Sequence, residues 1–204
     1  MNSTYEQIAD DIAEHGYSVV ERFLEGVEVN AILSIKEFQD WLEHFKKAGI
    51  GQDKGRHINE SIRGDYIKWI ENNSSPKAIN AYLLKLQDLI RHINQTLFLS
   101  LKDYELHMTV YPPGAFYKRH LDQFNRDDHR KLSIICYLNN DWLPEYGGQL
   151  RMWISGKPID VLPTAGRLVC FRSDMIEHEV LPATHPRLSI TGWMLDRFVS
   201  LRHL

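Results

Sequence analysis

The sequence predicts a mainly β protein with its helices gathered in the N-terminal half. Three observations predict it. The hydrophobic period changes near Tyr104, eight short β-prone runs follow in close succession, and nearly all helical spacing lies before that point. Strands so closely spaced leave no room for the helices of βαβ units. A two-sheet jelly roll or a barrel is therefore expected, with the helices buttressing one sheet.

The elements follow in order. Tyr5, Ile8, Ala9 and Ile12 fall at helical spacing, and Gly16 follows as a C-cap. YSVVERFL reads as a short strand. Ile32, Ile35, Phe38, Leu42 and Phe45 mark a second amphipathic helix, ended by Gly49 and Gly51. The stretch from Ile50 to Asp65 is polar and glycine-containing, without helical or alternating pattern, and reads as a mobile surface loop. After KWIE comes the clearest helix. Ser75 caps it, Pro76 fits its first turn, and Ile79, Leu83, Leu86, Ile90, Ile93 and Leu97 stripe one side. LHMTVY, FYKRHLD, LSIICYLN, GQLRMWI, IDVLP, RLVCFR, HEVLPA and RLSITGWML are the expected strands. No repeat or linker divides the sequence, so 1–204 is expected to form one domain. In it, 1–103 supplies helical support and a substrate loop, and 104–197 the β core.

Composition narrows the function classes. With 204 residues, 43% hydrophobic and 25% charged, the chain suits an ordinary globular protein that buries its own core. A formal charge of -3 and the lack of a basic stripe argue against nucleic acid or an anionic membrane as main partner. No run approaches the ~18 apolar residues of a membrane span. The start, MNSTYEQIADDIAEH, carries acids where a signal peptide is basic. Cys136 and Cys170 sit in apolar stretches and read as buried thiols. A cytoplasmic location is expected.

The chemistry concentrates in FYKRHLD and HEVLPA. On a strand, residues i and i+2 share a face about 6.5 Å apart, so His120 and Asp122 can reach one divalent ion. A rolled sheet can bring His178 to the same ion. Two histidines and one carboxylate leave three positions open, a pattern suited to non-haem iron(II) that must also bind a cosubstrate and oxygen. A structural zinc site is closed by four ligands and richer in cysteine, and neither HExxH nor CxxC is present. Alone, H-x-D is a weak signal in a chain with ten histidines. The other eight, His129 and His185 included, read as surface or structural. Weight comes from His178 together with Arg187, placed in an apolar strand expected to run antiparallel to that of His178. A guanidinium there needs an anionic partner and meets a carboxylate with a bidentate fork.

Six segments carry a family resemblance: IRGDYIKWIE (62–71), DLIRHIN (88–94), YPPGAFYKRHLD (111–122), YLNNDW (137–142), GGQLRMW (147–153) and HEVLPATHPRLSITGWMLD (178–196). From about residue 16 to Asp196 the chain resembles the iron(II)/2-oxoglutarate oxygenases of double-stranded β-helix fold. In detail it resembles the hypoxia-sensing type of prolyl hydroxylase and its bacterial relatives. The resemblance implies iron held by His120, Asp122 and His178. Arg187 would pair with the distal carboxylate of 2-oxoglutarate, and Tyr137 would donate to it. Tyr111 would touch the cosubstrate near the metal, Thr191 would line the pocket beside Arg187, and Trp193 would wall the substrate. No side chain is assigned as acid, base or nucleophile. Dioxygen is the second cosubstrate, with ascorbate as reductant. The implied product is 4-hydroxyproline in a protein client, a translation factor for a bacterial member. Arg63 stands at the base of a loop that folds over the client in this branch.

Three other readings stay open. One is the same oxidative chemistry on a small molecule or another residue type. A nucleic-acid demethylase is disfavoured by the charge balance. A non-catalytic β-barrel binding or sensing module is disfavoured by the intact ligand set and Arg187.

Overall fold

The computed structural model describes residues 3–49, 58–71, 75–123 and 128–198. Among them, five α-helices and eleven strands follow one another: α1 (Ser3–His15), β1 (Tyr17–Val20), α2 (Gly26–Leu33), α3 (Lys36–Gln39), α4 (Trp41–His44), β2 (Lys46–Lys47), β3 (Tyr66–Trp69) and α5 (Lys77–Leu97), then β4 (Asp103–Tyr111), β5 (Tyr117–His120), β6 (Arg130–Tyr137), β7 (Leu150–Ile154), β8 (Lys157–Val161), β9 (Leu168–Arg172), β10 (His178–Val180) and β11 (Arg187–Leu195). The fold is mainly β, in two antiparallel sheets. The major sheet runs β1-β9-β6-β11-β4-β3-β2 and the minor sheet β5-β10-β7-β8.

All eight expected strands of the second half form. Their alternation builds two apolar layers, because successive side chains point to opposite faces. On the outer face of the major sheet, Leu106, Met108, Val110, Leu132, Ile134, Cys136, Cys170, Ile190 and Met194 pack in one buried cluster with Ile8 and Ile12 of α1 and with the stripe of α5. Tyr111, Ile135, Tyr137, Val169 and Phe171 face inward and pack with Leu150, Met152 and Val180 of the minor sheet. The helices therefore buttress one sheet, and the inner face is left to meet the smaller sheet. Cys136 and Cys170 are buried free thiols. No helix among the described residues is long and apolar enough to cross a membrane.

Several local expectations need correction. The helix expected from Ile32 to Phe45 breaks into α2, α3 and α4. Ser34 ends α2 and turns its hydroxyl back to the Asn30 carbonyl at 2.7 Å, and Ile35 is extended. A serine that bonds locally offers the backbone an alternative to helix. Leu42, read as part of the apolar stripe, is exposed. Pro76 is the N-cap of α5, while the Ser75 hydroxyl donates to the Glu71 carbonyl at 2.6 Å and caps nothing. KWIE contributes to β3, which pairs with β4 at the sheet edge.

Of the polar stretch from Ile50 to Asp65, residues 50–57 lie outside the described residues, so its expected mobility falls largely there. Its described end is tightly tied. Gly64 N–H donates to Phe116 O and Lys118 N–H to Ile62 O, both at 2.9 Å, which lays residues 62–64 alongside β5. Arg63 grips Asp65 through two bonds of 2.7 and 2.6 Å and also reaches the Gly49 carbonyl at 3.4 Å.

Candidate active site

Two imidazoles and a carboxylate meet where the minor sheet faces the major one. His120 closes β5 and His178 opens β10, and the two are direct cross-strand partners with ring centroids 4.3 Å apart. Asp122 lies past the end of β5, so it reaches the histidines through a turn and not through the pleat expected from H-x-D on a strand. Its Oδ1 is 3.4 Å from His120 Nε2, and its Oδ2 is 3.5 Å from His178 Nε2. One ligand atom from each of the three lies within 4.8 Å of the others.

The tautomers suit a metal. His120 Nδ1 sits 2.7 Å from the Lys118 carbonyl and His178 Nδ1 3.2 Å from the Ile176 carbonyl. A carbonyl only accepts, so both Nδ1 atoms carry the proton and both Nε2 lone pairs face the cluster. Burial, with His120 nearby, lowers the His178 pKa to about 4 against the opposing pull of Asp122, and keeps the ring neutral. Burial also works against ionising Asp122. The imidazoles when protonated, and the donating Ser133 hydroxyl, outweigh it and hold the carboxyl well below its ordinary range.

Arg187 lies on β11, in the major sheet, whereas His178 lies in the minor one. The expected adjacent antiparallel pair is therefore replaced by two strands facing each other across the sandwich. Arg187 is 1% exposed. Its Nε donates to Gly148 O at 2.9 Å and its Nη2 to the Tyr137 hydroxyl at 3.3 Å. Gly148 has φ +71, and a Cβ there would come within 3.1 Å of Trp142 and 3.4 Å of the Arg187 chain, so glycine lets this carbonyl approach. No acidic side chain among the described residues pairs with Arg187. A buried guanidinium with unfilled donors calls for an anion.

The remaining candidates share that inner face. Tyr111 is the register partner of Arg187, whose guanidinium carbon stands 5.2 Å from the Tyr111 ring centre and 4.9 Å from that of Tyr137. The Thr191 hydroxyl contacts Ser189 at 3.0 Å. Trp193 lies under Arg130, whose guanidinium carbon is 3.4 Å from the ring centre. Arg130 also donates to the Asp122 carbonyl at 3.3 Å, which connects Trp193 to the metal cluster. Arg63 stands apart from Arg187. Its guanidinium covers the Tyr117 ring at 4.3 Å, and that ring stacks on His120 with centroids 3.7 Å apart.

Sequence reasoning missed Tyr117, Arg130, Ser133 and Ser173, while His107, read as structural, is so. The signal for Ser133 was present, as it is a polar residue inside the apolar run LSIICYLN. His107 is buried between Trp69 and Trp193, with Nδ1 2.8 Å from Thr109 Oγ1. Burial first, then the positive Arg63, lowers its pKa to about 3. In the unfolded chain it returns to about 6.5. The unfolded state therefore binds more protons between these values, and stability is lost as pH falls below about 6.5, by about 1.4 kcal/mol per pH unit for this group. His107→Gln is expected to flatten the acid side of a denaturant-midpoint profile by that slope. An unchanged profile would show that His107 takes up its proton equally in the folded and unfolded states.

Comparison with known proteins agrees with this geometry. The family model of the 2OG-Fe(II) oxygenase superfamily matches residues 106–195. A prolyl-4-hydroxylase structure from Pseudomonas putida is 43% identical, with TM-score 0.85, over 95% of this chain and 100% of that one. A prolyl hydroxylase from Trichoplax adhaerens, solved with a hypoxia inducible factor peptide fragment, is 27% identical with TM-score 0.85, over 95% and 90%. Human Egl nine homolog 1 is 34% identical over 94% of this chain and 46% of its own length. The chain thus spans about half the length of the curated Egl nine homolog 1 proteins it matches. With the jelly roll in place and the His–Asp–His cluster facing Arg187, the chain belongs to the 2OG-Fe(II) oxygenase superfamily, close to the Egl nine-type prolyl hydroxylases.

Proposed function

We propose that the protein is an iron(II)- and 2-oxoglutarate-dependent dioxygenase that hydroxylates a proline of a protein client to 4-hydroxyproline. One observation carries the reading. Ligand atoms from His120, Asp122 and His178, one each, converge opposite a buried arginine that has no acid partner among the described residues.

The residues present fit both groups. His120, Asp122 and His178 would hold the iron and leave positions open. Arg187 would bind the distal carboxylate of 2-oxoglutarate. The Tyr137 hydroxyl, which accepts from Arg187, keeps its proton to donate to the same carboxylate. Tyr111 and Thr191 would line the cosubstrate pocket, and Trp193 would wall the substrate side. When bound, iron with 2-oxoglutarate and dioxygen supplies the oxidising power for hydroxylating an unactivated carbon, with ascorbate as a reductant. The protein supplies orientation and a site walled by two sheets.

The substrate branch rests on the Pseudomonas and Trichoplax relatives and on Arg63. Charge on Arg63 is held by Asp65 against its burial, so Arg63 fixes the base of the loop in place. Arg63→Ala would leave the buried Asp65 unpaired, at a cost of about 3–5 kcal/mol. Its loss of client hydroxylation is expected to come with a lower melting temperature. Deletion within 51–57 tests the loop without that loss, and is expected to impair client hydroxylation while 2-oxoglutarate turnover persists. Equal loss of both activities would assign the loop to the fold or the metal site.

The chain is read as a single oxygenase unit with core 104–197 supported by 1–103. It acts in the cytoplasm on a protein such as a translation factor. Mass spectrometry of a cell extract incubated with the protein, iron(II) and 2-oxoglutarate tests the substrate. Prolyl peptides heavier by one oxygen atom are expected. Oxygen gained only by small molecules would move the activity to that class.

A further inference from the structure

Asp122 presents a problem of support. It lies beyond the end of β5, without a strand partner, yet it must hold its carboxylate at the cluster. Ser133 on β6 and Ser173 after β9 sit behind it, 1% and 0% exposed. Ser133 Oγ is 2.6 Å from Asp122 Oδ2, and Ser133 Oγ is 2.9 Å from Ser173 Oγ.

Proton counting fixes the direction of this chain. Each hydroxyl has one proton and a carboxylate only accepts, so the Ser133 proton is committed to Oδ2. The contact between the serines can then use only the Ser173 proton, and Ser173 donates to Ser133. Each bond polarises the next, and burial removes water as a competitor. The backbone ties the same parts together. Gln123 N–H donates to Ser173 O at 3.2 Å, and Ser173 N–H to Lys131 O at 3.1 Å, which pins the residue after Asp122 to the start of β6.

Resting on the metal reading above, we infer that Ser173 and Ser133 form a hydroxyl relay that positions Asp122, engaging Oδ2 so that Oδ1 is the oxygen offered to the metal. Oδ1 takes no bond from Ser133 and stands 3.4 Å from His120 Nε2, on the side of the ligand cluster. A carboxylate so engaged binds through one oxygen and does not chelate, which keeps a coordination position open. The serines are positioning residues. Their effect passes through the carboxylate.

Cobalt(II) affinity of the full chain without 2-oxoglutarate, measured by titration calorimetry, tests the relay, with thermal unfolding of each metal-free variant as the fold control. Ser133→Ala is expected to bind about 10–100-fold more weakly, the usual effect of losing an outer partner of a metal ligand. Ser133→Thr keeps the hydroxyl and should stay within a few-fold of the parent. Ser173→Ala should weaken binding less, and should add nothing once Ser133 is alanine, because its effect passes through that hydroxyl. Parental affinity in Ser133→Ala overturns the relay. So does a folded Ser133→Thr as weak as alanine, or a Ser173→Ala effect that persists in full without Ser133. Should Ser133→Ala not fold, Ser173→Ala decides, and parental affinity there overturns it. A parent protein that binds no cobalt removes the metal reading, and the relay falls with it.

Discussion

His178→Ala is expected to lose iron binding and 2-oxoglutarate turnover together while the protein still folds. Two remaining ligands cannot keep the ion in the three-donor geometry, and no other His, Cys, Asp or Glu among the described residues joins the cluster. The ring is not a free ligand arm, however. It is 4% exposed, packs edge-on against Phe171 at 4.7 Å and lies beside His120. Its removal opens a small cavity, so a stability loss of roughly 1–3 kcal/mol is expected, within the range of ordinary core changes. Metal titration, succinate release and a denaturation curve separate the two effects. Succinate release at the parental rate from a folded variant would remove His178 from the site.

Arg187→Lys is expected to raise the apparent KM for 2-oxoglutarate strongly. Lysine keeps the charge but loses the planar fork, and it cannot donate to Gly148, Tyr137 and a carboxylate in the same arrangement. A hydrogen bond to a charged group contributes ~1.5–3 kcal/mol, so one lost bond is worth about tenfold or more. Tyr137→Phe removes one hydroxyl and should shift KM in the same direction by less. Because that hydroxyl also receives a bond from Arg187, the double variant should fall short of the sum of the two. Steady-state kinetics in 2-oxoglutarate check all three. Unchanged dependence in both single variants would place the anchor elsewhere.

The parts legible in the sequence are those that repeat a period. The alternation from LHMTVY to RLSITGWML fixes which residues face the helices and which face the minor sheet, and the α5 stripe announces its buried side. His178 and Arg187 were legible because a ligating or charged residue sat in a segment otherwise built for burial, whereas His120 and Asp122 were legible by their H-x-D spacing at a short, partly exposed strand. Less legible was anything set by a single local competition. Ser34 breaks the second helix with one hydroxyl, against an apolar spacing that reads as continuous. Asp122 leaves the strand one residue after His120, which no period reports. The sheet to which β10 and β11 belong is decided by pairing across the whole chain, so two successive strands could not be assigned to different sheets from their own residues. Arg63 illustrates the same limit. IRGD marks it as special, but its engagement with Asp65 and Tyr117 depends on where β5 passes.

If the two sheets hold iron and 2-oxoglutarate as proposed, one atom of dioxygen reaches a prolyl residue of a protein. Heavy-isotope dioxygen tests it most directly. The protein is incubated with iron(II), 2-oxoglutarate, ascorbate and a cell extract, and the succinate and prolyl peptides are weighed. One labelled oxygen atom is expected in succinate and one in a modified proline, both absent from His178→Ala. Labelled succinate with no label on any prolyl residue would contradict the prolyl assignment, and no labelled succinate at all would contradict the oxygenase.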